Sequence, residues 1–287
     1  MKFHSLIHEN FKLDGGAMFG VVPKVIWQRT NPADEDNLIQ MATRSLLIED
    51  GDRLILIDTG MGDKQSDKFF GYYKPTNRGG LYRKLDELGY KPEDITDVIM
   101  THLHFDHCGG SVIRDEDGNL VPAFPNARYW TNEKHWAWAV RPNRREKASF
   151  LPENFVPLQE HGVLHFVPTP DTGNRLGATD LKMDFIFVNG HTDSQMLPVL
   201  YDGDKTLVFM ADLLPTVGHI PLPYIMGYDT RPLLTLDEKE DFLNWAADNG
   251  IYLFMEHDPE NEVITVKHTP KGVRLDRTMT LNDWLNL

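Results

Sequence analysis

A run of ten residues, Thr101-His102-Leu103-His104-Phe105-Asp106-His107-Cys108-Gly109-Gly110, follows directly on the apolar segment Asp97-Val98-Ile99-Met100. Three imidazoles and one carboxylate within six positions make a dense set of nitrogen and oxygen donors, the types that zinc and similar divalent metals take. In an extended or loop backbone His102 and His104 point the same way and share one metal. Asp106 and His107 follow a change in chain direction and reach a second. Gly109-Gly110 lets the backbone turn closely beneath them. The competing reading is a polar surface loop with chance histidines, and the density of donors argues against it. Cys108 reads as a small packing residue beside the site.

Any metal must be held by His and carboxylates, because Cys108 is the only cysteine among 287 residues. A single thiol excludes an intrachain disulfide framework and a structural zinc site made of several thiolates. Lys and Arg number 29 against 43 Asp and Glu, for a net charge of −14. That excess repels phosphate backbones and acidic membranes, so neither nucleic acid nor membrane is an expected partner. No apolar run approaches the roughly 18 residues that span a bilayer. The segment Met1–Glu9 lacks the apolar stretch and cleavage site of a signal peptide, so a cytoplasmic location is expected.

Short apolar runs ending at polar or turn residues predict strands at Leu54–Asp58 and Asp97–Thr101. Others are expected over Ala17–Trp27, Thr43–Glu49, Leu164–Pro168, Met183–Val188, Thr206–Met210, Ile251–Glu256 and Val263–His268. Helical spacing is clearest in Gly80–Leu88, where Leu81, Leu85 and Leu88 share a face, and in Leu236–Asn249. Asn132 or Thr131 is placed to cap a helix through Trp138. This alternation, without a break in composition, predicts one α/β domain over residues 1–287, with two packed mixed sheets and helices outside.

The ten-residue run resembles the signature of the metallo-β-lactamase superfamily, a His-x-His-x-Asp-His loop after a strand. The resemblance implies an αββα sandwich with the metals at one edge, and it extends along the chain because further motifs appear in order. Asp58, in Ile57-Asp58-Thr59-Gly60, matches the carboxylate that supports ligand histidines. His191, in Asn189-Gly190-His191-Thr192-Asp193-Ser194, matches the third histidine of the first metal. Asp212 matches the carboxylate bridging both metals, and His257 the last ligand of the second, a place for which His219 and His268 also have a case. The implied ligand set is His102, His104, Asp106, His107, His191, Asp212 and His257. Two divalent cations so held, zinc by default with Mn, Fe or Co also compatible, would carry a bridging water of lowered pKa and so a hydroxide nucleophile. Asp106 and Asp212 then take part in catalysis as well as metal binding. Ser194 reads as support for His191.

The bridging Asp212 argues against the class B β-lactamases, which lack it. Two stretches resemble the quorum-quenching N-acyl-homoserine lactonase-like branch: Asp14–Lys24, and Asp212–His219 continuing to Asp229. They imply a hydrolase that opens lactones, with a small-molecule substrate carrying an apolar chain. A glyoxalase II-like thioesterase and an organophosphate hydrolase are the enzymatic alternatives; a metal-containing ligand sensor is the non-enzyme one. One position departs from the lactonase pattern. The catalytic tyrosine three residues after the bridging Asp is Pro215 here. His219, Tyr224 and Tyr228 are the candidates to orient the substrate or protonate its leaving oxygen. Met18, Phe19, Phe69, Phe70, Tyr72 and Tyr73 read as an apolar wall for an acyl chain, or, from Phe69 to Tyr73, as a packed lid or a homodimer contact.

Overall fold

The computed structural model describes residues 1–177 and 180–287, and the chain divides into two compact units. One comprises Met1–Phe11 and Ala42–Thr169, the other Lys12–Met41 and Pro170–Leu287.

Most of a six-stranded sheet lies in the first unit. It starts with β1 (Lys2–Asp14), β2 (Leu38–Asp50), β3 (Arg53–Ile57) and β4 (Asp97–Ile99). A separate ribbon pairs β5 (Val112–Arg114) with β6 (Leu120–Pro122). The sheet is completed by β7 (Arg128–Asn132) and β8 (Leu164–Val167), in the order β1-β2-β3-β4-β7-β8. β2 and β3 are antiparallel, whereas β3, β4, β7 and β8 run parallel in succession. Parallel strands are covered on both faces, which is why Leu54–Ile57 and Val98–Met100 are unbroken apolar runs. Leu47, Leu56, Val98, Tyr129 and Phe155 lie in the core of this unit, joined by Leu81 and Leu85 of the helix Gly80–Glu87. Leu88 is that helix's C-cap and is exposed. Asn132 caps the helix Glu133–Ala139, its Oδ1 accepting from His135 N at 2.9 Å.

The second unit carries a seven-stranded mixed sheet. Its strands are β9 (Arg175–Leu176), β10 (Asp184–Val188), β11 (Gln195–Asp202), β12 (Lys205–Phe209), β13 (Tyr252–Phe254), β14 (Val263–Thr269) and β15 (Gly272–Met279), joined in reverse order from β15 to β9. β12 and β13 are parallel and the other neighbours antiparallel. The helix expected from Leu236 starts earlier, at Pro232, where a proline at the first turn sacrifices no hydrogen bond.

Ala17–Trp27 is not a strand. It forms two short helices, Gly15–Phe19 and Lys24–Trp27. Val21, Val22, Val25 and Ile26 favour extended backbone, but local capping wins. Asp14 accepts from Ala17 N at 2.7 Å, and Gly20, at φ 56°, turns the chain where other residues would be strained. Phe19 and Trp27 then stack, with centroids 5.2 Å apart. Among the described residues, no helix is long and apolar enough to cross a membrane.

Candidate metal centre

The strands place the donor residues by a simple rule. His102, His191, Asp212 and His257 each stand three positions past the last residue of β4, β10, β12 and β13. In the second unit β10 and β12 are both antiparallel to β11, so they run the same way, and β13 is parallel to β12. All three strands therefore end on one edge, with Phe209 and Phe254 paired in register just before the turn to Asp212 and His257. The outcome is a buried cluster within this unit. Asp212 Oδ2 is 3.1 Å from His191 Nε2, and its Oδ1 is 3.1 Å from His257 Nε2. Of the three histidines with a case for the last position, His257 is the one at Asp212. His268 is on an exposed strand end, paired with Asp248 at 2.7 Å.

The first unit holds its own cluster. Asp58 follows β3 directly and adopts a left-handed φ of 55°, a strained conformation that aspartate tolerates better than most residues. Its Oδ1 accepts from Thr101 N at 2.8 Å, and its Oδ2 takes the Thr101 hydroxyl at 2.6 Å and His107 Nδ1 at 3.0 Å. Because Thr101 donates to Asp58, its oxygen accepts from His102 Nδ1, 3.1 Å away. Glu146 Oε1 accepts from His104 Nε2 at 3.0 Å. The protons of His102 and His104 are thus held away from each other, while His102 Nε2 and His104 Nδ1 face one another at 3.0 Å. Two lone pairs that close repel unless a cation draws both, and this is the observation that fits a metal to the site. His107 presents Nε2 in the same way, with Asp106 Oδ1 4.0 Å from it.

Gly109 and Gly110 have the close-approach role expected of them. A Cβ on either would overlap the carbonyl of Met61 or Thr59, since Gly110 N donates to Gly60 O at 3.1 Å and Thr59 N to His107 O at 2.7 Å. Cys108 is fully buried in the core, and burial pushes its thiol up to about 12, so it stays protonated.

Two carboxylates of the site escape sequence reasoning. Glu146 is 42 residues from His104, and its other oxygen is fixed by Trp138 Nε1 at 2.7 Å and Asn143 Nδ2 at 3.0 Å. Asp229 takes His191 Nδ1 at 2.8 Å and so turns Nε2 toward Asp212. Burial disfavours a charged His191, but Asp212 and Asp229 outweigh it and lift its pKa to about 10. Glu146→Ala frees the His104 ring to rotate and to change tautomer. We expect metal affinity to fall roughly 10–100-fold, measured by chelator competition; affinity equal to wild type would show that Glu146 does not orient His104.

The segment after Asp212 departs from expectation at His219. The imidazole is buried, stacked on Phe19 at 4.3 Å, and both nitrogens are engaged. Nε2 donates to Met18 O at 2.9 Å, and Nδ1 accepts from the Thr216 hydroxyl at 2.8 Å. Burial holds its pKa down at about 3. A neutral ring whose one N–H is spent on a carbonyl has no proton to give, so His219 in this arrangement is a staple, not an acid. It joins the two lactonase-like stretches, aided by Gly227 N donating to Ala17 O at 2.7 Å. Lys239, buried, donates to the carbonyls of His219 and Tyr224 at 2.9 and 2.8 Å. Tyr224 is half-buried with its ring edge toward Phe19, and Tyr228 is exposed.

Comparison with known proteins agrees with this geometry. Residues 39–253 match the model of the metallo-beta-lactamase superfamily. A probable metallo-hydrolase of Mycobacterium tuberculosis is 32% identical over 266 residues, covering 83% of this chain and 78% of that protein. The crystal structure of a probable metal-dependent hydrolase from Staphylococcus aureus superposes with a TM-score of 0.84 at 26% identity, over 97% and 98% of the two chains. AidC, a dizinc quorum-quenching lactonase in complex with a product, superposes at 0.79 and 21% identity over 98% and 95%, a likeness of fold. The chain belongs to the metallo-beta-lactamase superfamily. It has that fold, with two mixed sheets and buried His and Asp clusters, and it is a metal-dependent hydrolase.

Proposed function

We propose that the two units act as one dinuclear hydrolase domain that opens lactones. His102, His104 and His191 would hold one cation and Asp106, His107 and His257 the other, with Asp212 as the carboxylate available to both. The observation that carries this reading is the facing pair His102 Nε2 and His104 Nδ1, matched in the other unit by Asp212 with a different imidazole on each oxygen. When bound, the cations would supply Lewis acidity and activate a water for attack on a carbonyl. Asp58, Glu146 and Asp229 fix the tautomers of His107, His104 and His191, so these three imidazoles are oriented before substrate arrives. Zinc suits these nitrogen and oxygen donors, as do Mn, Fe and Co. Support for a lactone substrate comes from the two stretches that His219 holds together and from the fold shared with a dizinc lactonase. Phe69 and Phe105 pack edge to face with ring centroids 5.2 Å apart, and the apolar surface they form beside the metal loop suits an acyl chain.

The test is a hydrolysis screen of acyl-homoserine lactones, thioesters and phosphotriesters on metal-replete protein of measured metal content. Lactones are expected to give the highest kcat/KM, with two metals per chain. A thioester or phosphotriester preferred by tenfold or more would reassign the substrate, and a single metal at full activity would reject the dinuclear site.

A further inference from the structure

Replacement of the lactonase tyrosine by Pro215, together with an engaged His219, leaves open which group contacts the substrate's oxygen. The first unit contains a hydroxyl suited to this. The helix Asp67–Tyr73, capped by Ser66 through Phe69 N at 3.2 Å, ends on Tyr73. The Tyr73 ring packs on Phe105 at 4.7 Å and on Phe69 at 5.0 Å, and Phe105 packs on Phe69 in turn. Phe105 lies in sequence between the ligands His104 and Asp106, so this three-ring cluster fixes Tyr73 against the metal loop itself. The ring is half-buried, and its hydroxyl makes no hydrogen bond with the described residues. Burial, and after it the nearby Asp106 carboxylate, push its pKa up to about 12. A phenol in that condition stays protonated through any assay range and is a donor with its bond still to make.

We infer that the Tyr73 hydroxyl donates a hydrogen bond to the carbonyl oxygen of the bound substrate beside Asp106. This rests on the hydrolase reading above and fills the role of the tyrosine that Pro215 replaces. Tyr73 touches the substrate and leaves the metals alone, because its contacts are with rings. A donor aimed at oxygen that gains charge during attack acts mainly on kcat.

Tyr73→Phe removes the hydroxyl and keeps the ring cluster, so it isolates the proposal. On metal-loaded protein we expect about a 10²-fold fall in kcat for lactone relative to wild type, unchanged metal content and unchanged Tm. Calorimetric binding of N-hexanoyl-L-homoserine, whose carboxylate derives from the attacked carbonyl, is expected to weaken about tenfold. Active wild type with a Tyr73→Phe variant within twofold in both measurements overturns the inference and leaves the hydrolase reading intact. Loss of metal or a lowered Tm in the variant assigns Tyr73 a structural role and also overturns it. Wild type that neither hydrolyses lactone nor binds the product overturns the lactonase reading and this inference together.

Discussion

Asp212→Ala is expected to reduce turnover of every substrate below detection. Both carboxylate oxygens are engaged, one near His191 and one near His257. Paired metals work when about 3.5–4 Å apart, and a bridging carboxylate sets that spacing. Its loss must exceed the roughly 10–100-fold cost of losing a carboxylate one step further out, such as Glu146. Metal content measured beside kcat separates the outcomes. Full activity with two metals bound rejects the bridge, and full activity with one metal makes the mechanism mononuclear.

His219→Ala is expected to act on stability rather than proton transfer. The substitution removes a stacked, buried ring and leaves the Thr216 hydroxyl and Met18 carbonyl without their partner. A loss of about 3 kcal/mol is expected, which lowers Tm by roughly 6–12 °C in a protein of this size. The sign of the pH dependence follows from the depressed pKa. The folded protein keeps the ring neutral down to about pH 3, while the unfolded chain protonates below 6.5. Stability contributed by His219 is therefore present above pH 6.5 and lost as pH falls toward 3, by about 1.4 kcal/mol per unit. His8, also buried and lowered to about 3, acts in the same direction. Glu9 opposes both, because burial raises it to about 7, so its protonated form stabilises the fold as pH drops from 7 to 4.5. Denaturant titrations from pH 6.5 to 4.5 should show a shallower loss in His219→Ala than in wild type. An unchanged Tm with a 10²-fold or larger fall in kcat would instead restore His219 as the acid.

The candidate donors could be picked out from sequence because much of the set is local. His102 to His107 crowd into six positions after an apolar run, and His191, Asp212 and His257 follow apolar strands by a constant short interval. Apolar runs mark strands buried on both faces without reference to the rest of the chain, so β3, β4, β10, β12 and β13 could be read from them. Strands with mixed faces were harder. In β1, Phe3, Leu6 and Phe11 are buried together with His8 and Glu9, and those polar residues hide the alternation. β11 and β15 went unread, and Ala17–Trp27 misled because β-branched residues outweighed the capping Asp14 in a short window.

The sequence by itself determined the candidate donor types, their order along the chain and the fold family, since these depend on residue identity and short spacing. Tertiary structure alone decided how each imidazole is turned. Glu146 and Asp229 lie 42 and 38 residues from the histidines they orient, and no local pattern links a carboxylate to a ring at that distance. The same holds for His219, whose protonation is governed by burial and by Met18, 201 residues away. A side chain's chemistry is written in its identity, but its protonation state depends on desolvation and on hydrogen-bond partners that only the folded chain assembles.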